Sequence, residues 1–484
     1  MTKECSPVYD QRMGKRAVFA AVILAIVIAA CTQDQTTSAE LDDAQDGSPS
    51  TTALDEFAAA PSEADLPIVF DQPFASIDGD LLDQFLEGQA LFNVVWTPAG
   101  EGDPATDGLG PLFNASSCAD CHLSTGRRQV PPDGELTEAG LVVRLSVPQI
   151  DPITGAPVPE PVYGDQLQDQ GVDGLEGEGR IFNNYVVQAG SYPDGTQFEI
   201  LWPTVNVRGP TQGPLTPLVQ FSARIGAQLI GTGLIEAIPE ETILALADPG
   251  DANGDGISGR PNFVWNSVTE SIEFGRFGWK SNVATLEQQI AQAFRGDIGV
   301  TSPIIPEQSC SAAQTECLEA AGDDEFEVTQ EQLDAIATYL RFLAVPEART
   351  DGNPAAERGQ ERFREFGCAS CHTESLTTGP NDIPELSEQT IFLYSDLLLH
   401  DLGFDMSDDR PDFQASPLEW RTPPLWGLGL IPVENDRGFL HDGRARTLEE
   451  AILWHGGEGS FSRSNFLRAN AADREDLLEF LRSL

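Results

Sequence analysis

Helical apolar stripes recur along the chain, separated by stretches whose apolar residues follow no helical period. Leu81, Leu82, Phe85, Leu86, Ala90, Leu91 and Phe92 fall on one 3.6-residue stripe. Further helical patterns run over residues 235–247, 327–343, 355–366 and 472–484. Residues 133–215 differ. They are rich in Gly, Pro, Val and Tyr, with short alternating runs at 141–147 and 198–201, and they predict a β-rich insertion. A polar segment with Pro and Gly, 344–354, reads as a linker. The pattern therefore predicts a mainly α chain in two parts, 67–345 and 346–484, with the insertion at about 133–215 in the first.

Two five-residue motifs mark those parts. Cys118-Ala-Asp-Cys121-His122 follows the first helical stripe, and Cys368-Ala-Ser-Cys371-His372 follows the stripe at 355–366. Two cysteines three apart can each form a thioether to a haem vinyl group, and the histidine that follows then sits beneath the iron. Two zinc half-sites would need further ligand cysteines, and Cys310 and Cys317 have the wrong spacing for them. Each motif has a helix before it and a Leu/Phe-rich helix closing its part, so the expectation is two cytochrome c-like haem domains. Cys118, Cys121, Cys368 and Cys371 would attach two c-type haems, with His122 and His372 as proximal ligands.

An internal repeat bears on the opposite faces of the irons. Leu229-Ile-Gly231-Thr-Gly233 echoes Leu425-Trp-Gly427-Leu-Gly429, and the stretch from Trp279 to Thr285-Leu-Glu287 echoes that from His441 to Thr447-Leu-Glu449. Eight residues past Thr447 stands His455, and eight past Thr285 stands Ala293. An imidazole at His455 completes the second iron; a methyl group at Ala293 leaves the first one open. One helical turn beyond Ala293, Asp297 would place a carboxylate over that open face, with a plain surface or capping acid as its other reading. Of the five histidines, His400 and His441 remain as propionate partners or as rivals to His455. Met406 is the methionine that a His/Met pair would use.

Asp251-Ala-Asn253-Gly-Asp255-Gly-Ile257 carries three oxygen side chains at alternate positions before a glycine, the first half of a calcium loop. Asn262 stands where the closing Glu of an EF-hand would be. Calcium held by Asp251, Asn253, Asp255 and the Ile257 carbonyl is one reading, and an Asn/Asp/Gly turn without metal is the other.

Lys3, Arg12, Lys15 and Arg16 precede an apolar run at 17–30 that ends Ile28-Ala29-Ala30-Cys31. This reads as a lipoprotein signal over residues 1–30, with a lipid on Cys31 as the membrane anchor. An uncleaved anchor is the other reading, though the run is short for a bilayer span. Residues 31–66 carry too little apolar content to fold and read as a disordered tether. The folded part is then expected on the periplasmic side of a membrane, where a disulfide between Cys310 and Cys317 would persist. The net charge of −49 argues against nucleic-acid binding and suits a basic partner, such as a small periplasmic electron-transfer protein. An acidic surface adapted to salt gives the same charge.

Several stretches resemble the bacterial di-haem oxidoreductases described as peroxidases and also called thiol oxidoreductases, relatives of the di-haem cytochrome c peroxidases. They are residues 108–122, 161–167, 251–262, 275–280, 297–301, 397–403 and 420–458. The resemblance implies that hydrogen peroxide or a similar oxidant reacts at the first haem while the second relays electrons. It also implies a tryptophan between the haems, matched by Trp279, with calcium near it. The relatives' catalytic acid is a Glu, and the nearest match here is Asp297. Where cytochrome c peroxidases often have a distal histidine after the first haem motif, this chain has no histidine between His122 and His372, so that activation switch is expected to be absent. The position of His455 carries Met or Tyr in those relatives. The expected function is an exported di-haem peroxidase-like oxidoreductase; the alternatives are an electron-transfer cytochrome without that activity, or oxidative modification of a partner protein.

Overall fold

A computed structural model describes residues 70–484 except 124–125, 128–129, 131–133, 137–139, 173, 322–325 and 432–437. The expected signal segment, Cys31 and the tether lie outside the described residues. Among those described, no helix is long and apolar enough to cross a membrane.

The expectation of a mainly α chain is overturned. Helix accounts for 30% and strand for 20%, and among the described residues the strands form seven small sheets. Several pair far from the insertion, as Phe263–Asn266 with Ser271–Phe274 and Leu399–Asp401 with Glu419–Arg421. These ladders are only two to four residues long. They arise where short extended segments lie side by side, and such short runs carry no readable period of two.

The helices form two similar pairs. In the first, Gly79–Asn93 crosses Gln330–Arg341. At the crossing a Cβ on Gly88 would fall 2.0 Å from the Ala335 carbonyl oxygen, so only glycine allows this approach. The second pair, Pro354–Glu365 with Ala471–Ser483, repeats the device: a Cβ on Gly359 would lie 1.8 Å from the Asp476 carbonyl oxygen. Asn353 and Asn470 cap the starts of the second pair by accepting backbone N–H bonds, and Thr329 caps Gln330–Arg341 in the same way. Each pair anchors a core. Phe85, Phe92, Ile336 and Tyr339 belong to the first, and Phe363, Phe366, Leu477 and Phe480 to the second. Cys118 packs against the first core and Cys368 against the second.

The longest strands, Arg180–Ser191 and Gln197–Arg208, make a twelve-pair antiparallel hairpin whose Ile200 and Trp202 lean on the second core. Leu141–Ser146 pairs with both Gln220–Ile225 and Gln166–Leu167. That ladder carries Arg144 and Gln166, and also Arg224, whose guanidinium reaches Asp408 and Asp412 of the second half. Cys310 and Cys317 form a disulfide.

The internal repeat is physical. Gly231 and Gly427 both adopt left-handed backbone, at φ 70° and 66°. Thr285 and Thr447 each cap the next helix by accepting the backbone N–H three residues on. The halves also bond reciprocally: Ile225 N–H donates to the His441 carbonyl at 2.8 Å, and Arg421 N–H to the Trp279 carbonyl at 2.9 Å. Trp279 and His441, equivalent in the repeat, thus become equivalent in space.

Candidate active site

Each Cys-x-x-Cys-His motif forms one tight turn, closed by His122 N–H on the Cys118 carbonyl and His372 N–H on the Cys368 carbonyl, both 3.0 Å. None of the four motif cysteines is part of a disulfide. The two imidazoles are held alike. Nδ1 of His122 bonds the Ala227 carbonyl at 2.9 Å, and Nδ1 of His372 bonds the Tyr394 carbonyl at 2.9 Å. Burial pushes both down to about 4. Both rings therefore stay neutral at ordinary pH, with Nε2 unprotonated and available to a metal.

Two largely apolar cavities open beside these turns. Cys118, Cys121 and His122 line the first, together with Ala293 and Asp297. Cys368, Cys371 and His372 line the second, together with His455, His400, His441 and Met406. Trp279, Arg127, Arg421 and Pro423 line both, so the wall between the cavities is built around the Trp279 indole. That indole donates Nε1–H to the Ile225 carbonyl at 2.8 Å and carries the Arg127 guanidinium 5.4 Å above it.

Asp297 does not sit on a regular helix. The helix Leu286–Ala293 widens into a π turn, Phe294–Ile298, which swings the carboxylate toward the cavity. The Asp297 carbonyl accepts the N–H groups of Asn114 and Ala115, tying this turn to the loop before Cys118. Its Oδ1 accepts from Gln166 Nε2 at 2.7 Å, and Arg144 holds the other end of Gln166 by donating to Oε1 at 2.9 Å. Burial raises the Asp297 carboxyl above its ordinary range, and the Gln166 bond opposes that rise.

His455 stands at the end of the helix Leu448–Leu453, with Nδ1 bonded to the Ala451 carbonyl at 2.8 Å, the same arrangement as His122 and His372. His400 is engaged differently. Its Nε2 bonds Asp396 and its Nδ1 bonds Glu458, both at 2.8 Å. Burial would lower it, but Asp396, the Cys371 sulfur at 3.6 Å and Glu458 together outweigh burial and lift it to about 12. An imidazolium held at both nitrogens has no lone pair for a metal. His441 stacks on Trp420 with ring centroids 3.6 Å apart, and the buried Lys280 ammonium lies 4.4 Å from the centre of the same indole. The sulfur of Met406 receives the Arg444 guanidinium at 3.8 Å.

The calcium-loop residues come together on an exposed turn outside both cavities, except that Ile257 reaches the wall of the second. Asp251 Oδ1, Asn253 Oδ1 and Asp255 Oδ1 accept the backbone N–H groups of Gly256, Asp255 and Ile257. Among the described residues no group of three or more His, Cys, Asp or Glu side chains is placed to hold a metal ion.

The cavities fit haem by what they leave unpaired. Among the described residues, buried Arg127 Nε, Arg421 Nη1 and the amide of Gln228 lack protein partners, as does His441 Nδ1. All four side chains line a cavity. Two buried guanidiniums without full pairing suit the carboxylates of an anionic cofactor. Sequence reasoning missed Gln166, Arg144, Arg127, Arg421 and the Asp396–His400–Glu458 clamp. Gln166 and His400 fall inside the stretches that carry the family resemblance, but only the folded chain shows what they touch.

No curated protein matches the chain. Among solved structures, a hydrazine synthase of Kuenenia stuttgartiensis, in a structure pressurised with xenon, is similar at a TM-score of 0.33 and 14% identity, covering 93% of this chain and 100% of that one. A family comparison matches residues 50–484 to the family described as "Di-haem oxidoreductase, putative peroxidase". With its two Cys-x-x-Cys-His cavities and all of the described residues inside that match, the chain belongs to the di-haem oxidoreductase family.

Proposed function

We propose that this protein is a peroxidase-like oxidoreductase in which peroxide is cleaved in the first cavity and the second cavity relays electrons. The observation that carries this reading is the asymmetry of the cavities. Of the four histidines that line the second, two, His372 and His455, hold Nδ1 on a backbone carbonyl and so present Nε2 as a lone-pair donor. Among the described residues the first is lined by one, His122, with the buried carboxylate of Asp297 for company.

Cys118 and Cys121 would hold one haem and Cys368 and Cys371 the other through thioethers, with the two motif histidines and His455 as iron ligands. When bound, the first haem supplies the iron that activates peroxide and the second supplies one-electron storage. The chain's own part is orientation and proton handling. Gln166 holds Asp297 through Oδ1, so Oδ2 is the atom that takes a proton from the inner peroxide oxygen and returns it to the outer one. Ala293 leaves room above the first site. Trp279, in the wall of both cavities, is the bridge between them. Arg127 and Arg421 neutralise propionates.

Export through residues 1–30, a lipid on Cys31 and a basic periplasmic electron donor complete the reading. The mass of the mature N-terminal peptide tests the first two. Calcium at Asp251, Asn253, Asp255 and Ile257 draws support from the alternating oxygen side chains, while the turn's own hydrogen bonds also suffice without metal. An unchanged melting temperature after chelation would remove calcium from the proposal.

The deciding experiment is EPR and optical spectroscopy of the oxidised protein before and after one equivalent of peroxide. One high-spin and one low-spin iron, with the change confined to the high-spin site, is the expected result. Two low-spin irons indifferent to peroxide, in oxidised and half-reduced protein alike, would leave only an electron-transfer cytochrome.

A further inference from the structure

The second cavity has a packed aromatic path to the surface. Trp454, the residue before His455, is buried, and its ring lies 4.8 Å from that of Trp202 on the long hairpin. Arg444 joins Trp454 to the cavity wall: its guanidinium stands 4.6 Å over the Trp454 ring and reaches the Met406 sulfur at 3.8 Å. At the other end Trp202 is partly exposed and donates Nε1–H to the exposed Gln188 at 2.6 Å. Its partner directly across the ladder is Val186, which is 66% exposed. Residues directly opposite in an antiparallel pair share a face. Val186 therefore marks where the path meets solvent.

We infer that Trp202 and Trp454 form the route by which electrons from a donor protein reach the second cavity. This rests on the reading of that cavity as a haem site. The step is a single electron transfer: a one-electron metalloprotein is oxidised by one electron, the second haem is reduced by one, and no bond or proton changes hands. The Arg444 cation over Trp454 disfavours a positive charge on that indole. The two rings therefore act as a tightly packed bridge and are not themselves oxidised. The chain's net charge of −49 selects a donor with a basic face.

The test uses the full haem-loaded protein with a ruthenium photosensitiser attached at Val186→Cys, and separately at Phe461→Cys. Phe461 is 68% exposed and lies against Gly367, which lines the same cavity. Flash photolysis reads the rate of electron injection into the second haem. Trp202→Leu is expected to slow injection from position 186 at least tenfold and to leave injection from position 461 unchanged, with the haem spectra unaltered. Trp454→Phe, which keeps the packing, should slow it less. Equal rates from position 186 with and without Trp202 would overturn the path, as would equal slowing from both positions. If the protein with its native tryptophans lacks a low-spin second haem, the functional reading fails, and the path falls with it.

Discussion

Gln166 donates its amide N–H to Asp297 Oδ1 across 2.7 Å, joining a strand of the β-rich region to a π turn at the end of a helix more than a hundred residues away. A bond from a neutral donor favours the ionised carboxylate, while burial favours the protonated one. Burial outweighs the bond, so the Asp297 carboxyl stands above its ordinary range and Gln166 limits the rise.

Replacing Asp297 by Asn should lower peroxide turnover by at least about a hundredfold, the usual contribution of a positioned acid–base group. Both haem spectra should persist. Asp297→Glu should retain much of the activity. Steady-state peroxide consumption, with spectra of the same samples, checks all three statements.

The pH profile depends on the same pair. Asp297 must be ionised to accept a proton, so kcat/KM should fall as pH drops through its raised pKa, and the acid limb should lie above the ordinary aspartate value of about 3.9. Gln166→Leu removes the donor that favours the ionised form and should move that limb to higher pH. An unmoved limb would detach Gln166 from the chemistry.

His455→Ala should turn the second haem from low-spin to high-spin without disturbing the first. Added imidazole should restore the low-spin signal. EPR at low temperature reads both changes. A low-spin second haem that survives the substitution would pass the ligand role to His441 or Met406, both of which line the same cavity.

His400 ties the pH dependence of stability to its two carboxylates. Its pKa is raised to about 12 in the folded chain, from the ordinary value of about 6.5. Its stabilisation is therefore complete below pH 6.5 and is lost as pH rises from there toward 12. His400→Gln should lower stability by about 3 kcal/mol near neutral pH, because it leaves Asp396 and Glu458 without their buried cation. The variant should lose less stability than the native chain on going to alkaline pH. Thermal melts across pH 6 to 10 give the comparison.

A Cβ on Gly226 would lie 2.8 Å from the Cys121 carbonyl oxygen and 2.9 Å from the His122 ring. Gly226→Ala should therefore shift the first haem's spectrum and spare the second. Gly459→Ala, whose Cβ would meet His455 Cβ at 2.9 Å, should do the reverse. Difference spectra of the reduced proteins separate the two.

Much of the site was legible because its chemistry is local. The Cys-x-x-Cys-His motifs need only five consecutive residues to form their turn. The repeat pointed to His455 and Ala293 because helix N-caps at Thr285 and Thr447 fix the register of the helices they start. The fold class was misread for the opposite reason. Two-residue ladders such as Leu376–Thr377 with Thr390–Ile391 are made by separate segments meeting, and nothing in either segment announces its partner.

The sequence by itself determined the haem-type motifs, the helices that flank them and the family, since each depends on spacing within a short stretch. Only the tertiary structure decided that Asp297 stands on a π turn held by Gln166, that His400 is closed off by Asp396 and Glu458, and that Trp279 walls both cavities. Apart from the four-residue reach from Asp396 to His400, those relationships join residues from tens to more than a hundred positions apart. Their energies come from burial and from hydrogen bonds that exist only once the two helix pairs and the sheets between them have packed.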